Sequence, residues 1–187
     1  MGAYQTRAID SEEYKLIIDT IRTGYLDHKP NPQIATILIL EANLGCRIGD
    51  IISMTTDSII KDGNVWKLNI VEQKTGKARH FIVPVPIKEF IDRWISERGI
   101  LRGDKLFSIK SPAVWKALRQ VTDFLELEKI STHSFRKKSA QKIYEQNHDI
   151  EMVREFLQHS DVRTTQRYIQ RSTEQMEKAI NAVVDIA

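Results

Sequence analysis

Cysteine is almost missing from this chain. Cys46 is the single one in 187 residues, which excludes an internal disulfide framework and any multi-cysteine zinc site, and fits a reducing compartment. Long apolar runs are missing as well: none approaches the roughly 18–20 residues of a membrane span, and there is no signal-peptide core. Repeats, low-complexity tracts and interdomain linkers are also lacking, which leaves one domain for this length. Charge of one sign is scarce. With 28 Lys and Arg against 25 Asp and Glu, the net charge is +3, so the placement of the cations, not their excess, has to reveal an anionic partner. The start Met1-Gly2-Ala3-Tyr4-Gln5-Thr6 has the form of a myristoylation signal and is read as a chance match. What is present is a globular balance, 41% hydrophobic and 28% charged, enough for a core without staples. The expectation is a soluble cytoplasmic domain.

Asp10 followed by Glu13 is a helix-start signature, and Tyr14, Ile17, Ile18 and Ile21 recur at helical spacing up to Gly24. After Pro30-Asn31-Pro32, Ile34, Ile37, Leu38 and Leu44 mark a more deeply buried helix, and Cys46-Arg47-Ile48-Gly49-Asp50 opens another, reaching about Met54. The period then changes. Ser58-Ile59-Ile60, Val65 to Val71 and Phe81-Ile82-Val83, with turns at Asp62-Gly63 and at Lys74-Thr75-Gly76-Lys77, predict a three-stranded antiparallel sheet ended by Pro84 and Pro86. Helices are expected near 87–98, 112–126, 134–147, 150–158, 161–170 and 173–184. The fold class is α+β, mainly α, with a small antiparallel sheet of about three strands.

Three strings carry chemistry: Leu44 to Asp50, His133-Ser134-Phe135-Arg136, and Leu157-Gln158-His159-Ser160-Asp161 leading to Thr164-Thr165-Gln166-Arg167-Tyr168. Singly, each is ordinary. Together their residue types make one kit. Two arginines can grip phosphate oxygens with paired, charge-assisted hydrogen bonds, and two histidines can donate hydrogen bonds or move protons. A lysine on a hairpin tip can reach a leaving oxygen, and a tyrosine hydroxyl can attack. No metal-ligand cluster accompanies them, so cationic side chains would have to do what a metal ion does elsewhere.

In order and spacing these residues resemble the catalytic domain of the tyrosine recombinases, the phage integrase family. The resemblance runs from about residue 10 to about 180. The family's Arg box matches Arg47 with Asp50, its hairpin lysine matches Lys74 (with Lys77 as a rival), and its H-x-x-R box matches His133 and Arg136. Its second histidine matches His159 and its nucleophile Tyr168. Gln158 departs from the glycine usual before that histidine. The resemblance implies a tail over 1–9 and a catalytic domain over 10–187, including a C-terminal helix over 173–187. It also implies that the family's N-terminal core-DNA-binding domain is absent here.

By the same resemblance, Tyr168 attacks a phosphodiester of duplex DNA, forming a 3′-phosphotyrosyl link and freeing a 5′-hydroxyl, with no cofactor and no metal. Arg47 and Arg136 would stabilise the transition state, His133 would take the tyrosine proton, Lys74 would protonate the leaving oxygen, and His159 would donate to a non-bridging oxygen. Asp50 would orient the arginine or histidine. Lys137, Lys138 and Lys142 beside Arg136, and Arg163, Arg167 and Arg171 at spacings of four, are expected to meet DNA phosphates. The protein would be nucleoid-associated, a monomer when free and a tetramer on synapsed sites, with an apolar C-terminal stripe of Met176, Ala179, Ile180, Val183 and Val184 docking on a neighbour or on its own domain. A type IB topoisomerase, a non-catalytic DNA-binding relic and an enzyme of RNA or small phosphodiesters are the alternative readings.

Overall fold

Asp10 opens the first helix as its sequence forecasts. Its carboxylate accepts from the Glu12 and Glu13 amides, while Glu13 reaches back to the Asp10 amide. The computed structural model describes residues 6–166, 168 and 169. Helix α1 (Ser11–Thr23) buries Ile17, Ile18 and Ile21 and stops at Gly24. Helix α2 (Pro32–Leu44) begins on a proline, with the Asn31 side chain accepting from the Ile34 amide. It is apolar nearly all round, as a helix at the centre of a domain must be, and it packs on α1, on the short α3 (Ile48–Ser53) and on α6 (Thr132–Asn147).

A three-residue 3₁₀ turn leads into the antiparallel sheet β1 (Ile59–Asp62), β2 (Val65–Val71) and β3 (Ala78–Val83), paired in that order. Two details differ from expectation. Strand β3 starts three residues before Phe81, because Arg79 lies opposite Ile70 and points inward; a charge in an inward position hides the strand from a hydrophobicity reading. Pro84 ends the sheet, but Pro86 sits in the first turn of α4 (Val85–Arg98), where its missing N–H has no partner to lose. Helices α5 (Ser111–Phe124), α7 (Ile150–Leu157) and α8 (Val162–Gln166) complete the described chain. The helix expected over 161–170 is the shorter α8, with Tyr168 in the turn beyond it. The helix expected over 173–184 lies outside the described residues. No helix among the described residues is long and apolar enough to cross a membrane.

One main core gathers Ile17, Ile37, Leu38, Ile51, Leu68, Leu118 and Phe135. A smaller cluster of Ala140, Val153 and Leu157 is flanked by Phe156 and Tyr168. Gly45 joins the two regions. It ends α2 at φ 58°, a conformation that disfavours side chains, and a Cβ there would stand 2.3 Å from the Phe156 ring. Two residues on, this turn delivers Arg47.

Glu41 is the anomaly of the core. It is fully buried in α2, and neither carboxyl oxygen has a hydrogen-bond partner among the described residues. Burial pushes its pKa well above 4.5, and the nearby Arg136 charge offsets that only in part. The folded pKa therefore exceeds the unfolded one, so stability present below about pH 4.5 is lost as pH rises toward the folded value. Glu41→Gln removes the titration. Its melting temperature should match the parent near pH 4 and exceed it by several degrees at pH 8, at roughly 2–4 °C per kcal/mol for a domain of this size. A gap that is the same at both pH values would show that the carboxyl does not titrate with folding.

Candidate active site

Arg47 caps α3 from an extended backbone conformation and keeps a partly exposed side chain. His133 and Arg136 stand three apart near the start of α6, hence on one face. His159 follows α7 directly. Gln158, at the glycine-like position before it, adopts the left-handed conformation at φ 51° and donates from Nε2 to the Ala78 carbonyl at 3.3 Å. The turn a glycine would make is kept, at a cost of roughly 1–2 kcal/mol.

These elements meet around Arg136, which is 1% exposed. Its Nη2 donates to the Leu157 carbonyl at 2.5 Å and lies 3.4 Å from His159 Nε2. Its Nε and Nη1 are buried with no partner among the described residues. Burial above all, joined by the Arg47 and Arg79 charges and opposed by Tyr168 and Cys46, brings the Arg136 pKa down to about 10; it stays a cation at neutral pH. An arginine can only donate, so His159 Nε2 accepts, and His159 Nδ1 carries the proton toward Thr165 Oγ1 at 3.1 Å. Burial first, then the Arg136 and Arg47 charges, hold the His159 pKa down at about 4, so the ring is neutral. The Tyr168 ring meets it edge-on with centroids 5.0 Å apart.

His133 faces the same charges from the exposed side. Desolvation, followed by Arg136, Arg47, Lys137 and Lys74, lowers its pKa below 6.5, which makes it a neutral proton acceptor at pH 7. Lys74 and Lys77 are both exposed on the β2–β3 turn, and Lys74 is among the charges that act on His133. The structure thus brings Arg47, Lys74, His133, Arg136, His159 and Tyr168 into one electrostatic neighbourhood.

Two expectations need correcting. Among the described residues Asp50 holds neither an arginine nor a histidine: its Oδ1 accepts from the Gln73 amide at 2.9 Å, tying α3 to the hairpin. Its place in the first turn of α3 points it at the hairpin root. Lys137 does not lie on the surface. It is turned inward, with Nζ donating to the Thr6 carbonyl and lying 5.5 Å over the Tyr168 ring. Lys138 is half-buried over the Tyr14 ring, while Lys142 and Arg163 are exposed. Arg167 and Arg171 lie outside the described residues.

The sequence reading missed Glu72 and Arg79, both fully buried. Glu72 Oε2 accepts from Arg47 Nη1 at 2.5 Å and from Thr75 Oγ1 at 2.9 Å, and Oε1 accepts from Arg79 Nη1 at 3.1 Å. Burial would raise its pKa, but the bonds from Thr75, Arg47 and Arg79 outweigh it and leave the carboxylate below 4.5. Arg79 Nη2 donates to the Leu44 carbonyl at 2.9 Å and the Phe156 carbonyl at 2.5 Å, serving the C-terminal ends of α2 and α7 with one cation. Thr165 was missed too; a small hydroxyl in a short helix gives no signal until its histidine is seen beside it.

Residues 7–175 match the model of the phage integrase family. A probable integrase/recombinase of Bacillus subtilis, YoeC, is 26% identical over 140 residues, covering 71% of this chain and 75% of that protein. Among solved structures, the XerH site-specific recombinase bound to its palindromic difH substrate superimposes with a TM-score of 0.77 at 18% identity, over 97% of this chain and 54% of that one. The catalytic domain of bacteriophage HP1 integrase gives 0.68 at 16% identity over 94% of each chain. The chain thus spans about half the length of XerH and nearly all of the HP1 catalytic domain, with a shared fold.

Proposed function

The chain belongs to the phage integrase family, and from that premise we propose that it is the catalytic domain of a site-specific recombinase that cuts and rejoins duplex DNA. The observation that carries the reading is the meeting of Arg136, His159 and Tyr168 from three separate elements, with His159 3.4 Å from the guanidinium and 5.0 Å from the tyrosine ring. Tyr168 Oη attacks phosphorus and the P–O5′ bond breaks, leaving a 3′-phosphotyrosine. The Tyr168 proton passes to neutral His133, and Lys74 protonates the departing 5′-oxygen. Arg47, and Arg136 through its two unpartnered nitrogens, take the charge that develops on the non-bridging oxygens. A phosphate anion beside His159 raises its proton affinity; with Arg136 turned to the phosphate, Nε2 is released to donate there. A 5′-hydroxyl of a partner strand reverses the sequence, so the bond energy is conserved.

The partner is duplex DNA, with Lys142 and Arg163, and Arg167 and Arg171 beyond them, meeting its phosphates. Free protein is a monomer, and the tetramer forms on paired sites. The test is covalent capture. Nicked duplexes with a randomised core, incubated with the protein and denatured in detergent, should yield adducts enriched in one sequence family. Binding without any adduct would overturn the enzymatic reading in favour of a DNA-binding relic. Adducts lacking strand exchange between two sites would favour a topoisomerase.

A further inference from the structure

The β2–β3 turn is strapped to the start of α3 by two bonds running in opposite directions. Arg47 Nη1 donates to Glu72, and the Gln73 amide donates to Asp50. Thr75, the residue after Lys74, closes a third contact by donating to the same Glu72 oxygen that holds Arg47. The turn is shut from within: the Glu72 amide donates to the Lys77 carbonyl, the Gly76 amide to the Glu72 carbonyl, and the Lys77 amide lies 3.3 Å from Thr75 Oγ1. Glu72 is in turn anchored from below by Arg79. An exposed hairpin tip carrying a long flexible lysine is the least ordered part of such a site unless something holds it. Here what holds it is bonded to the arginine it must act beside.

We propose that Glu72 and Thr75 are positioning residues that fix Lys74 relative to Arg47, so that proton donor and phosphate clamp are in register before DNA arrives. Glu72 contributes one carboxylate oxygen to both sides of that register, and the Thr75 hydroxyl is the link specific to the tip. Thr75 is the cleaner probe, because Glu72 also neutralises buried Arg79. The inference rests on the recombinase reading, in which Lys74 protonates the 5′-oxygen.

The experiment compares Thr75→Val and Thr75→Ser with the parent on a captured duplex, carrying either an ordinary phosphodiester or a 5′-bridging sulfur at the cut. Sulfur leaves without a proton, so Lys74→Ala, the reference, should be slowed much less on that substrate. Thr75→Val should cleave the ordinary duplex about tenfold more slowly and the sulfur duplex within about twofold of the parent, and Thr75→Ser should restore both rates. Equal slowing on the two substrates, or no slowing, would overturn the proposal. Amide hydrogen exchange on the free protein supplies an arm that needs no cleavage. Thr75→Val should speed exchange at residues 72–77 while leaving α2 and α6 unchanged. Unaltered exchange there would refute the tie, whereas faster exchange in a protein that forms no adduct would keep the tie and discard the recombinase reading.

Discussion

Tyr168→Phe is expected to abolish the covalent protein–DNA adduct while leaving DNA affinity within a few-fold of the parent. Only the nucleophilic oxygen is removed. The ring contacts survive: the edge-on meeting with His159 at 5.0 Å, the Lys137 ammonium 5.5 Å over the ring, and packing on the Ala140, Val153 and Leu157 cluster. The variant should therefore melt like the parent, which separates lost chemistry from lost fold. Gel shift and detergent-resistant adduct formation on the same duplex make the comparison. An adduct that persists would assign the attack to another side chain.

Arg136→Ala should lower the cleavage rate by at least about 10²–10³-fold, the scale seen when one donor to a developing oxyanion is lost. The loss should exceed that of an exposed cation, because Arg136 sits where water is excluded and carries two nitrogens free to receive phosphate oxygens. Arg136→Lys keeps a charge but not the planar fork, and should recover only a small part. A second readout belongs to the same change. With the guanidinium gone, the His159 pKa should rise from about 4 toward 6.5, since Arg136 is the largest charge holding it down after burial. Histidine resonances followed against pH would show this. A His159 titration left near 4, with cleavage reduced less than tenfold, would remove Arg136 from the centre of the site.

The sequence was legible wherever a residue's chemistry coincided with its pattern. Asp10 with Glu13 gave a helix start, the β-rich run Val65–Val71 gave β2, and the family was recognisable because the order and spacing of Arg47, Lys74, His133, Arg136, His159 and Tyr168 form a set. The illegible residues are charged side chains in places where charge is not expected. Arg79 lies inside the sheet, so its strand looked three residues shorter than it is. Glu72 reads as the polar end of a strand, and only its three donors show that it is buried. Lys137 looked like one more cation beside Arg136, but one residue along a helix is a turn of about 100°, enough to swing its ammonium from solvent to the Thr6 carbonyl. Asp50 bonds the hairpin amide of residue 73, which a one-dimensional reading does not show beside the arginine three residues away.

Arg79 also sets an order of assembly in time. Its second nitrogen bridges carbonyls at residues 44 and 156, one 35 positions earlier in the chain and the other 77 later. On a growing chain the sheet and α2 emerge long before α7, and domains fold as their parts become available. Until Phe156 arrives, this cation can satisfy Glu72 and Leu44 only, and the ring that blocks any side chain at Gly45 is not yet in place. The last of the Arg79 bonds therefore closes only when α7 docks and brings His159 with it. An intermediate ending short of that helix already holds most of the main core, yet it cannot complete the cage around Arg136.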